Sequence, residues 1–305
     1  MTDADITLRR AVPGDTESCY QLFMESVVDL TARQGNPWDP DIPDVWSRME
    51  PIYSMLAEHA AEWWVAEDGA SGELVGYARS VERGGLFELS EFFVRPTRQS
   101  AGVGRRLLEA AFPLGRGDVR AIIATTDVRA LARYYRTGTV ARFPILALER
   151  PMDVGDAAEQ AAESSLAPVR ASTADLPAIA EIERAVLEFD RGPEETAWLL
   201  AQREGYLYLR DGRPVAFGFV GKMGSGPVAA LDPDDQPAIL THLEGRARAL
   251  GRERLAFEVP SINEVAMRHL LDRGYRIDTF LTLLLTSRPF GQFDRFIGFA
   301  PPFVL

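Results

Sequence analysis

The sequence predicts an α/β chain, α+β in stricter usage, built as two similar domains in tandem. Three observations carry this. An apolar strand, a glycine-bearing loop and an amphipathic helix follow one another directly across residues 88–111. Residues 153–167 are rich in Gly, Ala, Glu, Gln and Ser without apolar periodicity, as a linker is. Beyond them the order of elements starts again. At 305 residues two cores are the expected number. The first domain is therefore expected over 1–152 and the second over 168–305, joined by 153–167.

Taken in order, residues 6–10 alternate as a first strand. Pro13, Gly14 and Asp15 turn the chain into a helix, with Asp15 or Thr16 as its N-cap. Cys19, Leu22, Phe23, Val27 and Leu30 recur on its inward side. Residues 34–46 carry Pro37, Pro40, Pro43, Trp38, Trp46, Asp39, Asp41 and Asp44, and read as a loop entering a helix over 44–59. Residues 62–66 are a strand, Asp68-Gly69 a turn and 74–81 the hairpin partner. Phe92, Phe93 and Val94 suit a buried strand, which Pro96 ends because it has no N–H for a ladder. Leu107, Leu108 and Ala111 recur at helical spacing. A strand over 119–126, a helix over 129–136 and a strand over 139–149 complete the first domain.

The second half echoes the first. Arg10-Ala11-x-x-x-Asp15 returns as Arg170-Ala171-x-x-x-Asp175, and Asp68-Gly69 as Asp211-Gly212. Val75-Gly76-Tyr77 returns as Val215-Ala216-Phe217. Asp127-x-x-Ala130-x-x-x-Tyr134-x-x-x-Gly138 returns as Asn263-x-x-Ala266-x-x-x-Leu270-x-x-x-Gly274. Matches in one order, on the same kinds of element, argue for duplication of one fold, with a period too long for a solenoid. Residues 221–226 read as a glycine-rich hairpin loop, and the apolar, aromatic run 293–305 as a strand.

Between strand and helix in the first half lies Gln99-x-x-Gly102-x-Gly104. Glycines let a backbone approach a ligand and turn its N–H groups outward. At a helix N-terminus those donors lack partners and the dipole favours an anion, phosphate above all. The loop is not a Walker loop, which needs Gly-Lys-Ser/Thr, nor a dinucleotide fingerprint. The full pattern, Val-x-Pro-x-x-Gln-x-x-Gly-x-Gly-x-x-Leu behind an apolar strand, resembles motif A of the GNAT acetyltransferase superfamily. The resemblance implies a mixed, mostly antiparallel sheet flanked by helices in each domain, and acetyl-CoA as acyl donor. Gln99, Ser100, Ala101, Gly102, Val103, Gly104 and Arg105 would hold its pyrophosphate. Phe92, Phe93 and Val94 would offer backbone groups to the pantetheine arm and the thioester carbonyl.

Acyl transfer to an amine also needs a proton acceptor and a proton for the leaving thiolate. The resemblance implies Tyr134 as that donor, a phenol being a sensible acid toward a thiolate. Leu270, at the same place in the second domain, can give no proton. Asp127 stands where the family commonly has asparagine; it keeps a capping role and is a candidate contact to the pantetheine. Glu88 and Glu91 are the base candidates, on opposite strand faces unless a bulge intervenes, as the family layout implies. Trp38, Asp39 and Trp46 are the candidate acceptor site, aromatics and carboxylates that suit an amine cation. In the second domain Leu231-Asp232-Pro233-Asp234-Asp235 replaces the glycine loop, and its aspartates would repel a pyrophosphate. Chemistry is thus expected only in the first domain, with the second degenerate.

Composition sets bounds. The hydrophobic share of 46% and charged share of 26% are ordinary. A net charge of -12 argues against nucleic acid and anionic membranes as partners. Cys19 is the only cysteine, which fits a reducing, cytoplasmic setting. No leader of basic then apolar residues opens the sequence, and no apolar run approaches the roughly 18 residues of a membrane helix. His59, His242 and His269 lack metal spacing, so no metal is expected. The expected activity is N-acetyl transfer to a small amine. A non-catalytic acyl-CoA sensor and an N-acetyltransferase acting on proteins or peptides are the alternatives.

Overall fold

Two runs of the same element order make up the chain. The first is β1 (Ile6–Arg10), α1 (Thr16–Arg33), α2 (Ile42–Glu58), β2 (Ala60–Asp68), β3 (Leu74–Arg83), β4 (Leu86–Val94), α3 (Val103–Ala111), β5 (Val119–Thr125), α4 (Val128–Arg136) and β6 (Val140–Pro151). The second is β7 (Ala167–Arg170), α5 (Leu176–Leu187), α6 (Pro193–Gln202), β8 (Glu204–Arg210), β9 (Arg213–Gly221), β10 (Gly224–Ala230), α7 (Gln236–Ala249), β11 (Arg254–Pro260), α8 (Glu264–Asp272) and β12 (Arg276–Thr286), followed by the short β13 (Phe296–Ile297). The structure, a computed structural model, describes residues 6–98, 102–152, 165–222, 224–300, 302 and 305. Of the expected linker, 153–164 lie outside the described residues. No described helix is long and apolar enough to cross a membrane.

The same local chemistry starts both runs. The Asp15 carboxylate accepts the Val12 N–H at 2.8 Å, and the Asp175 carboxylate accepts the Ser172 N–H at 2.8 Å. Each closes the turn between first strand and first helix. Near the far end, Asp127 caps α4 by accepting the Arg129 N–H, and Asn263 caps α8 by accepting the Ala266 N–H. The duplication inferred from sequence is thus repeated at the level of individual capping bonds.

The chain divides into two compact units, one of residues 1–122 and 127–140, the other of 123–126 and 141–305. In the first, strands lie in the order β1-β2-β3-β4-β5. All neighbours are antiparallel except β4 and β5, which pair in parallel from Leu86↔Val119 to Leu89↔Ile122 and no further. The second unit has strands in the orders β12-β6-β11 and β13-β10-β9-β8-β7. β6 ends the first run in sequence but belongs to the second unit, because it pairs antiparallel with β11 from Pro151↔Arg254 to Ile145↔Pro260.

Three local expectations change. α2 begins at Ile42, where Asp41 accepts the Asp44 N–H, so Trp46 stands on a helix and not in the preceding loop. The hairpin expected over 221–226 is there, with Gly221 paired to Gly224, but Gly224 and Gly226 belong to its strand β10. Among the described residues of the run 293–305, only Phe296–Ile297 form a strand.

Candidate active site

The register of β3 with β4 decides where the first unit's glutamates point. Arg79 pairs with Glu91 and Ser80 with Leu89, so Ser90 is an extra residue, a β-bulge. The bulge puts Glu88 and Glu91 on one face of the sheet, opposite Val81 and Arg79. Parity without it would separate them. Tyr77, Arg79 and Arg83 share that face of β3. The Tyr77 hydroxyl donates to Glu91 Oε1 at 2.7 Å, and Arg79 Nε lies 2.7 Å from Glu91 Oε2. Arg83 Nη1 donates to Glu88 Oε2 at 2.9 Å. Both carboxylates are fully buried. Each therefore holds the charge-assisted partner a buried ion needs.

Helices α1 and α2 cover this face with aromatic rings. Trp46 lies 4.7 Å from Tyr20 and 6.0 Å from Tyr53, centroid to centroid. Phe93 meets Phe23 at 5.1 Å and Tyr77 at 5.7 Å. The guanidinium of Arg79 lies over Trp63 at 4.5 Å and near Tyr53 at 5.7 Å, and donates to the Tyr53 carbonyl. The aromatic box around Glu91 thus already holds a cation of the chain itself. Of the three acceptor candidates, Trp46 joins this cluster. Trp38 and Asp39 are exposed and stay outside it.

The other face of the sheet carries the helix start. Gly102 is the N-cap of α3 at φ 73°, a left-handed conformation that glycine adopts without a Cβ penalty. Among the described residues no side chain caps the helix, so the N–H groups of Val103 and Gly104 remain donors. A Cβ on Gly104 would come to 3.1 Å from the Phe92 ring and 3.6 Å from the Arg133 guanidinium. Gly104 is therefore the residue that lets helix, strand and Arg133 converge. Gln99, Ser100 and Ala101 lie outside the described residues. Phe92 and Val94 belong to the part of β4 beyond its last pairing with β5. Their backbone has a ladder partner on the β3 side only.

Tyr134 sits on the inward side of α4 with its ring 6.0 Å from Phe92. Burial, with Asp127 nearby, pushes its phenol above the ordinary range. It stays protonated across physiological pH. Among the described residues its hydroxyl has no hydrogen-bond partner, while its carbonyl accepts from Thr137 and Thr139. Asp127 is committed elsewhere. It ion-pairs with Arg33 at 3.1 Å and Arg129 at 2.9 Å. Burial pushes its pKa up, but hydrogen bonds from Arg129 and Arg33 outweigh this and hold it at about 2.

Sequence reasoning missed a cleft of about 450 Å³ between α3 and the end of α4. Arg105, Arg133 and Arg136 line it together with Glu109 and the apolar Leu108, Phe112 and Leu114. Among the described residues neither Arg133 nor Arg136 has a carboxylate partner. Arg105 is 70% exposed and 3.8 Å from Glu109. In a chain of net charge -12, this concentrates positive charge beside the uncapped start of α3. The spacing of Arg129, Arg133 and Arg136 along one helix was the available signal.

A sequence model of the family described as acetyltransferase (GNAT) domain matches residues 59–138, which span β2 through α4. No curated protein matches the chain. Solved structures with the same fold cover nearly its whole length. A candidate acetyltransferase from Pyrococcus horikoshii is 17% identical, with a TM-score of 0.69 over 96% of this chain and 93% of its own. A GCN5-related N-acetyltransferase from Sphaerobacter thermophilus is 15% identical, with a TM-score of 0.61 over 95% and 98%. A tandem GNAT protein from the clavulanic acid biosynthesis pathway is 15% identical, with a TM-score of 0.55 over 93% and 99%.

Proposed function

Starting from a chain that carries a GNAT acetyltransferase domain at residues 59–138, we propose that it moves an acetyl group from acetyl-CoA to a primary amine. One observation carries the reading. The start of α3 is glycine-lined and, among the described residues, uncapped, and it stands beside a cleft with three arginines. Backbone donors at a helix start hold a diphosphate, and the arginines suit a further phosphate at the end of the same nucleotide. The apolar part of the cleft suits a flat base. The freed edge of β4 would take the pantetheine arm as a strand takes a partner.

In the proposed reaction the amine attacks the thioester carbonyl, the carbon–sulfur bond breaks, and Tyr134 gives its proton to the sulfur. Its hydroxyl is free to do so because nothing else among the described residues engages it. Glu91 is the better placed of the two base candidates. A carboxylate offers about four acceptor positions, and Tyr77 and Arg79 occupy two. The rest can take a proton through a water. Glu88 is held by Arg83 beside the β3–β4 hairpin and serves that turn. The buried Arg79 already neutralises Glu91, so the acceptor amine would arrive uncharged.

The test is calorimetry with CoA and acetyl-CoA, followed by release of free thiol with an amine and peptide panel. Micromolar binding with turnover supports the reading. Binding without turnover on any acceptor leaves a sensor, and no binding ends the proposal.

A further inference from the structure

The aromatic face over Glu91 reaches solvent. Phe23, Trp46 and Phe93 are half-buried, while Tyr20 and Tyr53 beside them are buried. Phe23 lies 6.2 Å from Tyr20 and 6.0 Å from Tyr53, centroid to centroid. With Trp46 against both tyrosines and Phe23 against Phe93, the rings form one wall from α2 across α1 to β4. The wall ends on the strand whose freed edge would take the pantetheine arm. Small-molecule sites are lined in this way, by apolar and aromatic side chains with few polar groups. Ring against ring also gains more than the area it buries.

Charge on this face is balanced by the chain itself. The fully buried carboxylates of Glu91 and Glu88 are matched one to one by the guanidiniums of Arg79 and Arg83. Trp63 and Tyr53, rings that could sit over a guest cation, already face Arg79. The carboxylates nearest in sequence to Phe23 and Trp46 are taken as well. Glu25 lies 3.2 Å from Arg95, and Asp44 lies 2.6 Å from Arg48. An ammonium moved from water onto such a wall loses hydration and gains no counter-charge. A neutral amine loses little. The wall therefore selects against a charged guest as well as for a flat one.

We propose that the acceptor is an aromatic amine, a primary amine on a flat ring and neutral at physiological pH, stacked on Phe23, Trp46 and Phe93 with its nitrogen toward the freed edge of β4. The nitrogen attacks the thioester carbonyl and the carbon–sulfur bond breaks. The sulfur takes a proton from Tyr134, and the nitrogen gives one through a water to Glu91. Exchange with solvent then returns Tyr134 and Glu91 to their starting forms. The choice of acceptor rests on the acetyl-transfer reading, and the test separates the two.

The test gives the full chain acetyl-CoA and either of two isomers, para-ethylaniline or phenethylamine, at neutral pH, and follows release of free thiol. The isomers share a ring and an atom count and differ in the charge on nitrogen. The alkylamine is the stronger nucleophile, so a preference for the aniline does not come from reactivity. The expected kcat/KM favours para-ethylaniline by at least about tenfold. Trp46→Glu puts an unmatched carboxylate on the wall and should move that ratio about tenfold toward phenethylamine. Calorimetry should find its CoA affinity unchanged, which shows that the variant folds. Trp46→Phe keeps a ring there and should keep the wild-type order. Equal or better use of phenethylamine by the wild type would overturn this proposal alone, and so would a ratio that Trp46→Glu leaves unmoved. Turnover on other amines but on neither isomer does the same, while no turnover on any amine overturns the acetyl-transfer reading with it.

Discussion

The starts of α3 and α7 occupy the same place in the two repeats and are built in opposite ways. α3 begins on a left-handed glycine with, among the described residues, no side-chain cap. The turn into α7 has Asp232 accepting the Asp234 N–H, and Asp235, its N-cap, is bonded to Arg210. Burial, against the pull of Arg210, raises the Asp235 pKa. One helix start offers free donors to an anion. The other meets an arriving phosphate with carboxylates already in place. The comparison extends inward: Tyr134 corresponds to Leu270, and Arg79 of β3 to Phe219 of β9, both of the latter pair fully buried. The second repeat has exchanged charge and donors for hydrocarbon.

The effect on CoA binding breaks that contrast directly. Gly102→Asp places a carboxylate where the diphosphate is proposed to lie, and should weaken CoA binding by at least about a hundredfold, roughly 2.7 kcal/mol. Asp234→Asn in the second repeat should leave the affinity unchanged. Calorimetry on both variants checks this, and equal affinities for wild type and Gly102→Asp would remove the site from α3. Tyr134→Phe should come next. It keeps the ring against Phe92 and loses only the proton, so kcat should fall about a hundredfold with CoA affinity intact. Leu270→Tyr should restore nothing. A Tyr134→Phe enzyme at full rate would take the acid role from Tyr134.

How far these features were legible depends on their range. The turn chemistry of Asp15 and Asp175, the caps Asp127 and Asn263, and the glycines of the α3 start are local. Each follows from a residue's own conformational preference, so the repeat and the fold class could be read from sequence. The partners of Glu88 and Glu91 could not. One bulged residue, Ser90, sets which face both occupy, and alternation alone places them apart. The arginine cleft depends on packing α3 against α4, which brings Arg105 to Arg133 and Arg136 across 28 residues of chain.

The buried pair sharpens the comparison next. Arg79→Met leaves Glu91 as an unpaired buried charge and should cost about 3–5 kcal/mol. Adding Glu91→Gln should recover much of it, because the second repeat already does without charge at Phe219. Denaturant titration of the two single variants and the double closes the cycle. Strictly additive losses would mean that Arg79 and Glu91 act apart.

A further effect concerns pH and belongs to the second repeat alone. Counting back from the caps Asp127 and Asn263, Glu258 of β11 stands where β5 has Ile122. Glu258 is 7% exposed. Burial first, and Asp278 second, push its pKa up to about 7. A carboxyl whose folded pKa exceeds its unfolded value of about 4.3 favours the fold while protonated. That contribution is complete below the unfolded pKa and is lost as pH rises through 7. The difference amounts to about 4 kcal/mol at most. Unfolding of the second unit, followed by denaturant titration, should therefore grow easier between pH 5 and pH 8. Glu258→Gln keeps the shape and removes the titration, so its stability should lack this fall. A Gln variant with the wild-type slope would assign the pH dependence to another group.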